Sequence, residues 1–409
     1  MIYPQRCFSA ARVAPSAIHL AVPLALAWSA AKIEVGLPLA CTNGVCIDPE
    51  GRLAWFGADG TRIWTREKSR SETEFAASLD GEAIWVSVDG RVPHLRRVHR
   101  ADGRTIGDWR IPFGVMAVLP ELRFVGVGGR KPSSAGPNDL GVFAVENGRE
   151  ARMLWRRPGT EKADFSPFLA VTESLILVGK GENLLAVDLE TGETVWEQAL
   201  GPYGGAPFSL LWLPMVWGGR ALVNSANETL CFEVATGRLC WRLPLVGTRT
   251  VYLGRVYVVA SEAYFIIDLE SGKVLLKKPA YEGVRSKWGI RDAFEFSTSL
   301  LVSETHVFVG DTRGRMYGMV RDTWEPVWHH SPGGSGYLNA EIAVGGDRLY
   351  ARTFNYDPKP PQMLHCYRQL APGEEPEPPV AERKRGRSAD SRAPRRGPRA
   401  SAAAAGSIR

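Results

Sequence analysis

The sequence predicts an all-β fold: an eight-bladed β-propeller of four-stranded antiparallel blades whose ring is closed by an N-terminal strand. Three observations carry that expectation. A strand–turn–strand phrase recurs along the chain, and a tryptophan closes nearly every copy. The composition, with 13 Trp, 43 Gly and 28 Pro in 409 residues, is that of a turn-rich β chain. Length alone suggests two or three domains, but a closed repeat array is not bound by that prior.

The phrase is clearest in NLLAVDLETGETVWEQAL, Asn183 to Leu200. Leu184, Ala186 and Asp188 alternate with Leu185, Val187 and Leu189, which is the two-residue period of a strand. Glu190-Thr191-Gly192-Glu193 makes a turn, with glycine where φ must be positive, and Thr194-Val195-Trp196 begins the partner strand. The phrase returns as LCFEVATGRLCWRL (Leu230–Leu243) and, weakened, as FIIDLESGKVLLKK (Phe265–Lys278).

Trp28, Trp64, Trp109, Trp155, Trp196, Trp241 and Trp328 hold corresponding places, and Leu276 holds that place in the weakened copy. Successive positions lie 35 to 52 residues apart, bracketing the ~40–50 residues of a propeller blade. A large aromatic at this position wedges between adjacent blades, so the tryptophans are expected to be structural. Gly60, Gly192, Gly237 and Gly272 each stand four residues ahead.

Complete units are expected at about 37–66, 75–111, 115–156, 166–198, 208–243, 248–278, 296–329 and 339–370. The last supplies three strands, and a run at Leu24–Ala30 supplies the fourth, which removes both exposed edges. Seven blades, with the final unit absorbed differently, is the alternative. Residues 1–23 form an N-terminal segment, 24–370 the propeller and 371–409 a disordered Pro/Glu-rich and then Arg-rich tail. The Ile18–Ala31 stretch behind Arg6 and Arg12 also resembles a signal peptide, but His19 and Pro23 interrupt it. The strand reading, with a cytoplasmic protein, is preferred; export to the periplasm or envelope is the alternative.

The net charge is +6, and the tail carries nine Arg/Lys against five Asp/Glu. The body is therefore almost neutral, which gives nucleic-acid binding by the propeller little electrostatic support. Basic residues at 383–399 offer a secondary contact for an acidic partner, nucleic acid or an anionic surface. Cys7, Cys41, Cys46, Cys231, Cys240 and Cys366 lack CxxC spacing and read as thiols before disulfides or metal ligands. No run approaches the ~18 apolar residues of a membrane span.

The phrases LLAVDLETGETVWEQAL, LCFEVATGRLCWRLPL and GRLAWFGADGTRIWTRE resemble the repeat of pyrroloquinoline-quinone-type propellers. That superfamily includes quinoprotein alcohol dehydrogenases and the propeller lipoprotein of the outer-membrane barrel-assembly machine. The resemblance spans Leu24–Leu370 and implies fold more than activity. The dehydrogenases would imply a vicinal Cys-Cys disulfide, a Trp floor and carboxylates with an Asn around Ca²⁺; no Cys-Cys dipeptide is present. The lipoprotein would imply a lipidated Cys after a signal peptide, whereas Cys7 follows Tyr3-Pro4-Gln5-Arg6.

No catalytic residues, cofactor site or metal site are expected. Asp59-Gly60, Asp89-Gly90 and Asp102-Gly103 suit hairpin turns. His329-His330 are adjacent on a strand and point to opposite faces, so they cannot chelate one ion together. His94 and His99 have no third ligand in view. Antiparallel blades bring the second-to-third and blade-to-blade connections to one rim, which collects the long segments near 129–141, 201–208, 280–296, 331–338 and 355–362. A partner-binding surface is expected there, with Arg285, Lys287, Trp288 and Arg291 beside Arg130, Tyr203 and Tyr337. The chain is read as a non-catalytic scaffold for a protein partner. Exported envelope assembly or sensing is the alternative, and a quinone-dependent dehydrogenase or central-channel ligand binder ranks below it.

Overall fold

Thirty-two strands in the computed structural model pair into eight separate four-stranded antiparallel sheets. The structure describes residues 20–31, 39–41, 43–47, 53–67, 73–89, 92–128, 138–146, 150–160, 164–200, 214–225, 227–260, 263–279, 284, 287, 300–311, 315–331, 342–353, 363–371, 373 and 374. The first strand, β1 (Leu24–Ala31), belongs to the last blade. Blade 1 comprises β2 (Leu39–Cys41), β3 (Gly44–Ile47), β4 (Ala54–Gly57) and β5 (Arg62–Thr65); blade 2 comprises β6 (Thr73–Asp80), β7 (Ala83–Asp89), β8 (His94–His99) and β9 (Thr105–Arg110). Blade 3 is β10 (Val115–Leu119), β11 (Arg123–Gly128), β12 (Asp139–Ala144) and β13 (Arg152–Arg157), followed by blade 4 with β14 (Phe165–Val171), β15 (Leu175–Lys180), β16 (Asn183–Asp188) and β17 (Thr194–Ala199). Blade 5 has β18 (Met215–Trp217), β19 (Arg220–Asn224), β20 (Thr229–Glu233) and β21 (Leu239–Leu243), and blade 6 has β22 (Thr248–Tyr252), β23 (Arg255–Val259), β24 (Ala263–Asp268) and β25 (Val274–Pro279). Blade 7 is β26 (Leu301–Val302), β27 (His306–Gly310), β28 (Met316–Val320) and β29 (Pro326–His330). Blade 8 is β30 (Ile342–Gly345), β31 (Arg348–Thr353), β32 (Met363–Gln369) and, on its outer edge, β1.

First strands of neighbouring blades touch one another, as β2 does with β6 and β30, so they line the middle of the ring. Second and third strands have a neighbouring blade on each face. That is why β4 and β12 are buried at every position and why their sequences read as nearly unbroken apolar runs. Fourth strands lie at the rim and alternate, with Trp196 buried in β17 while Val195 is exposed.

Eight apolar clusters fill the eight junctions between blades. Between blades 3 and 4, for example, Val125, Leu140 and Val142 meet Phe165, Ile176 and Val187. The rim tryptophans pin these junctions. Each indole N–H donates to a backbone carbonyl of the following blade: Trp28 to Ala58 (3.0 Å), Trp64 to Arg100 (2.7 Å), Trp109 to Glu146 (2.9 Å) and Trp155 to Leu189 (2.8 Å). Trp196 donates to Val234 and Trp241 to Leu269, both at 2.8 Å, and Trp328 to Leu24 at 3.0 Å.

Each turn glycine lies beneath the tryptophan of the blade before it. Gly237 has φ +70°, and a Cβ placed there would stand 2.5 Å from the Trp196 ring. The carboxylate at the start of the turn organises it. Asp188 Oδ1 accepts from the Thr191 N–H (2.7 Å) and hydroxyl (2.9 Å), and these bonds hold its carboxyl below the usual range.

The junction between blades 6 and 7 reverses the pattern. Leu276 replaces the rim tryptophan, and Trp324 occupies the position four ahead of Trp328 that glycine holds elsewhere. Trp324 has φ +55°, donates its backbone N–H to Val320 O (2.8 Å) as the turn glycines do, and is fully buried. Its ring stacks on Tyr264 of blade 6 at 4.8 Å. The indole that blade 6 lacks is supplied from the other side of the junction.

β1 pairs along the whole of β32, from Leu24 opposite Gln369 to Ala31 opposite Met363. The packed chain begins ahead of it. Leu20 is buried among Leu301, Phe308 and Ile342, and its carbonyl accepts from Ser303 Oγ at 2.7 Å.

Candidate functional site

The two ends of the ring differ in how the chain crosses them. At one end lie the connections within the strand pairs first–second and third–fourth, none longer than 145–151. The opposite end carries the segments 129–138, 200–214, 280–300, 331–341 and 354–362. Long connections held by a rigid scaffold are where binding residues concentrate.

Of the residues expected to meet a partner, Lys287 is described, and it is exposed on this end. Arg130, Tyr203, Arg285, Trp288, Arg291 and Tyr337 lie outside the described residues, as do the basic residues at 383–399. Val284, three residues before Lys287, is buried in the cluster between blades 6 and 7, so that connection is anchored to the ring close to Lys287.

Beneath the long connections the strands end in buried polar groups that sequence reasoning passed over. Asp311 is fully buried; its Oδ2 accepts from Arg315 Nε (2.7 Å) and the Tyr317 hydroxyl (2.8 Å). Burial first, then the Asp311 charge, pushes the Tyr317 phenol far above its ordinary value. Asp139, also buried, accepts from Arg156 Nε (2.7 Å) and the Gly159 N–H (2.9 Å). Thr229 bridges Asn224 Oδ1 (3.0 Å) and the Leu245 carbonyl (2.6 Å). The signal for such groups was a charged or amide residue at the inner end of an apolar strand, as in Asp139-Leu140 and Val223-Asn224. Each carboxylate is met by a guanidinium and hydrogen-bond donors, so these are braces for the strand ends rather than acids or bases held ready.

The histidines are dispersed. His94 meets Asp108 (2.9 Å) and His99 meets Asp102 (3.0 Å). His329 stacks on Tyr317, while His330 stacks on Trp328 and meets Tyr367 edge-on, so the adjacent pair does point apart. His365 Nδ1 contacts Ser29 Oγ at 2.8 Å across the closure of the ring. That contact has the partners of a nucleophile–base pair but not the chemistry. Burial, reinforced by nearby His330, pushes the His365 imidazole down to about 4, and its Nε2 has no hydrogen-bond partner among the described residues. The five described cysteines are thiols, of which Cys46, Cys231 and Cys366 are buried. Among the described residues no group of three or more His, Cys, Asp or Glu gathers to hold a metal ion, and no helix is long and apolar enough to cross a membrane.

A ring of eight such blades, pinned by rim tryptophans over turn glycines, is a pyrroloquinoline-quinone-type propeller. A family model described as outer membrane protein assembly factor BamB matches residues 139–245 and 231–357, more than half of the chain, and the chain belongs to that family. None of the curated proteins matches it in sequence. Among solved structures, BamB from Moraxella catarrhalis superposes with TM-score 0.59 at 14% identity, covering 85% of this chain and 100% of that one. Quinohemoprotein alcohol dehydrogenase from Comamonas testosteroni gives TM-score 0.61 at 12% identity, covering 92% and 82%. A computationally designed protein, Ika8, gives 0.59 at 10%, covering 82% and 96%. At these identities the superpositions speak to fold alone.

The described residues do not fit a quinone and its calcium. No two cysteines are adjacent, and the buried carboxylates Asp139 and Asp311 are each engaged by arginine.

Proposed function

We propose that this chain is a non-catalytic scaffold propeller that receives a protein partner on its long-connection end and serves outer-membrane protein assembly in the cell envelope. The observation that carries this reading is the family match over residues 139–357, whose description is that of an assembly factor. The distribution of connections supports it, because at one end no connection is longer than 145–151 and the other holds every longer segment. Arg130, Tyr203, Arg285, Lys287, Trp288, Arg291 and Tyr337 form the contact surface, with 383–399 as a secondary contact. Aromatic and arginine side chains of this kind contribute most to interface energy.

The envelope setting replaces the cytoplasmic placement preferred from sequence, since the family weighs toward export. It carries a structural condition. Leu20 and β1 are built into the ring, so this reading keeps any processing upstream of Leu20.

The test is a photo-crosslinker at position 287 in the native host. The expected product joins the chain to a component of the outer-membrane assembly apparatus. Trp288→Ala with Arg291→Ala should reduce that product about tenfold or more, as loss of two interface anchors does. A crosslinking yield unaltered by the double substitution would count against this surface.

A further inference from the structure

We infer that Cys231 and Cys240 form a cross-strand dithiol that closes to a disulfide, a modification site on the rim of blade 5. The geometry comes from the register of β20 and β21. Cys231 lies opposite Trp241, and Phe232 lies opposite Leu239, so Cys240 is the extra residue of a β-bulge between them. A bulge sets two residues of one strand against one of its partner. Cys240 is thereby brought to the side of the sheet where Cys231 is buried, and both side chains belong to one apolar cluster with Trp241 and Met215. After burial, the nearby Cys240 sulfur is the largest influence raising the Cys231 thiol. Cys240 is the chain neighbour of Trp241, the ladder partner of Cys231, and a disulfide between the two cysteines would span a Cα separation of about 4.4–6.8 Å.

The two sulfurs are unequal. Cys240 is partly exposed, with its Sγ 3.6 Å from the Arg238 carbonyl. Cys231 is inaccessible, and burial pushes its thiol up to about 12. The Arg220 guanidinium opposes that rise at Cys231 without overcoming it. Cys240 is thus the thiol that an external disulfide can reach. Its thiolate attacks one sulfur of that disulfide, forming a mixed disulfide and releasing one thiolate. Cys231, surrendering its proton, then attacks Cys240 Sγ; the internal S–S bond forms and the second thiolate leaves. Two electrons and two protons pass to the oxidant, which becomes two thiols. The reaction is independent of which protein docks on the ring.

The sequence makes the test direct. Trypsin cuts after Arg220, Arg238 and Arg242, leaving Cys231 in 221–238 and Cys240 in the four-residue 239–242. The full chain, reduced and then equilibrated with glutathione disulfide, is alkylated in denaturant, digested and analysed by mass spectrometry without reduction. The expected product is 221–238 linked to 239–242 in most molecules, separated by dithiothreitol and missing from Cys240→Ser. That variant changes a partly exposed side chain and spares the core. Recovery of both peptides alkylated, a glutathione adduct persisting on Cys240, or either cysteine linked elsewhere would each overturn the assignment.

Discussion

A rim tryptophan such as Trp196 donates its indole N–H to the following blade and lays its ring on the turn of that same blade, and the turn glycine is what lets the ring approach. Gly237→Ala therefore meets two penalties at once, a positive φ of +70° and a Cβ 2.5 Å from Trp196. Together these should cost about 2 kcal/mol or more, read as a lower urea midpoint with an unchanged slope. Trp196→Ala removes the 2.8 Å bond to Val234 as well as the ring, for about 3–5 kcal/mol in the same assay. His365 acts through pH. Its folded imidazole titrates near 4 against an ordinary 6.5, because burial disfavours the cation. Above pH 6.5 neither state is protonated and the full stability is present. As pH falls from 6.5 toward 4, the unfolded chain takes up the proton and the folded one does not, so stability declines by up to about 3 kcal/mol. His365→Gln, which cannot titrate, should flatten that part of the profile in unfolding midpoints measured from pH 7 to 4.

At the scale of the blade, the exchange between Leu276 and Trp324 shows that the packing unit is the junction and not the repeat. Trp324→Gly alone should cost about 3–5 kcal/mol, since it removes the ring stacked on Tyr264. Leu276→Trp alone brings a second indole to a junction that already holds one. The double variant restores the arrangement seen at the other junctions. In a double-mutant cycle it should be more stable than the sum of the singles by at least about 1 kcal/mol, and simple additivity would show the two positions to be unrelated. The same exchange marks how far the sequence could be read. Strands, turns and blade count follow from patterns within a single copy, such as Val187, Gly192 and Trp196, and the eight blades were legible for that reason. The compensation by Trp324 was not, because a leucine in one repeat and a tryptophan in the next are related only by contact across a junction. The long end was legible from strand direction alone. The braces at Asp311–Arg315 and Asp139–Arg156 were not, since a lone charged residue at a strand end looks the same whether it faces solvent or a buried partner.

For the whole molecule, the decisive element is the closure. Residues 20–31 supply four different things: Leu20 to the junction of blades 7 and 8, the Leu24 carbonyl to Trp328, the Trp28 ring to Gly60, and a full ladder to β32. Without them β32 becomes an open edge, and the Trp328 indole and Ser303 hydroxyl lose acceptors inside the ring. A chain beginning at residue 20 should unfold at the same denaturant concentration as the full chain. One beginning at residue 32 should lose more than about 5 kcal/mol and associate through the open edge, given the tryptophan, the ladder and the buried leucine removed together. A synthetic peptide of residues 20–31 added in trans should restore both stability and the monomer, because the acceptor edge is formed by β32 on its own blade. Size-exclusion chromatography with denaturant titration distinguishes the cases. If the chain from residue 32 behaves like the full chain, the ring closes without β1, and cleavage within 20–31 becomes compatible with an exported protein. If it fails and the peptide rescues it, the ring depends on residues 20–31 for its closure.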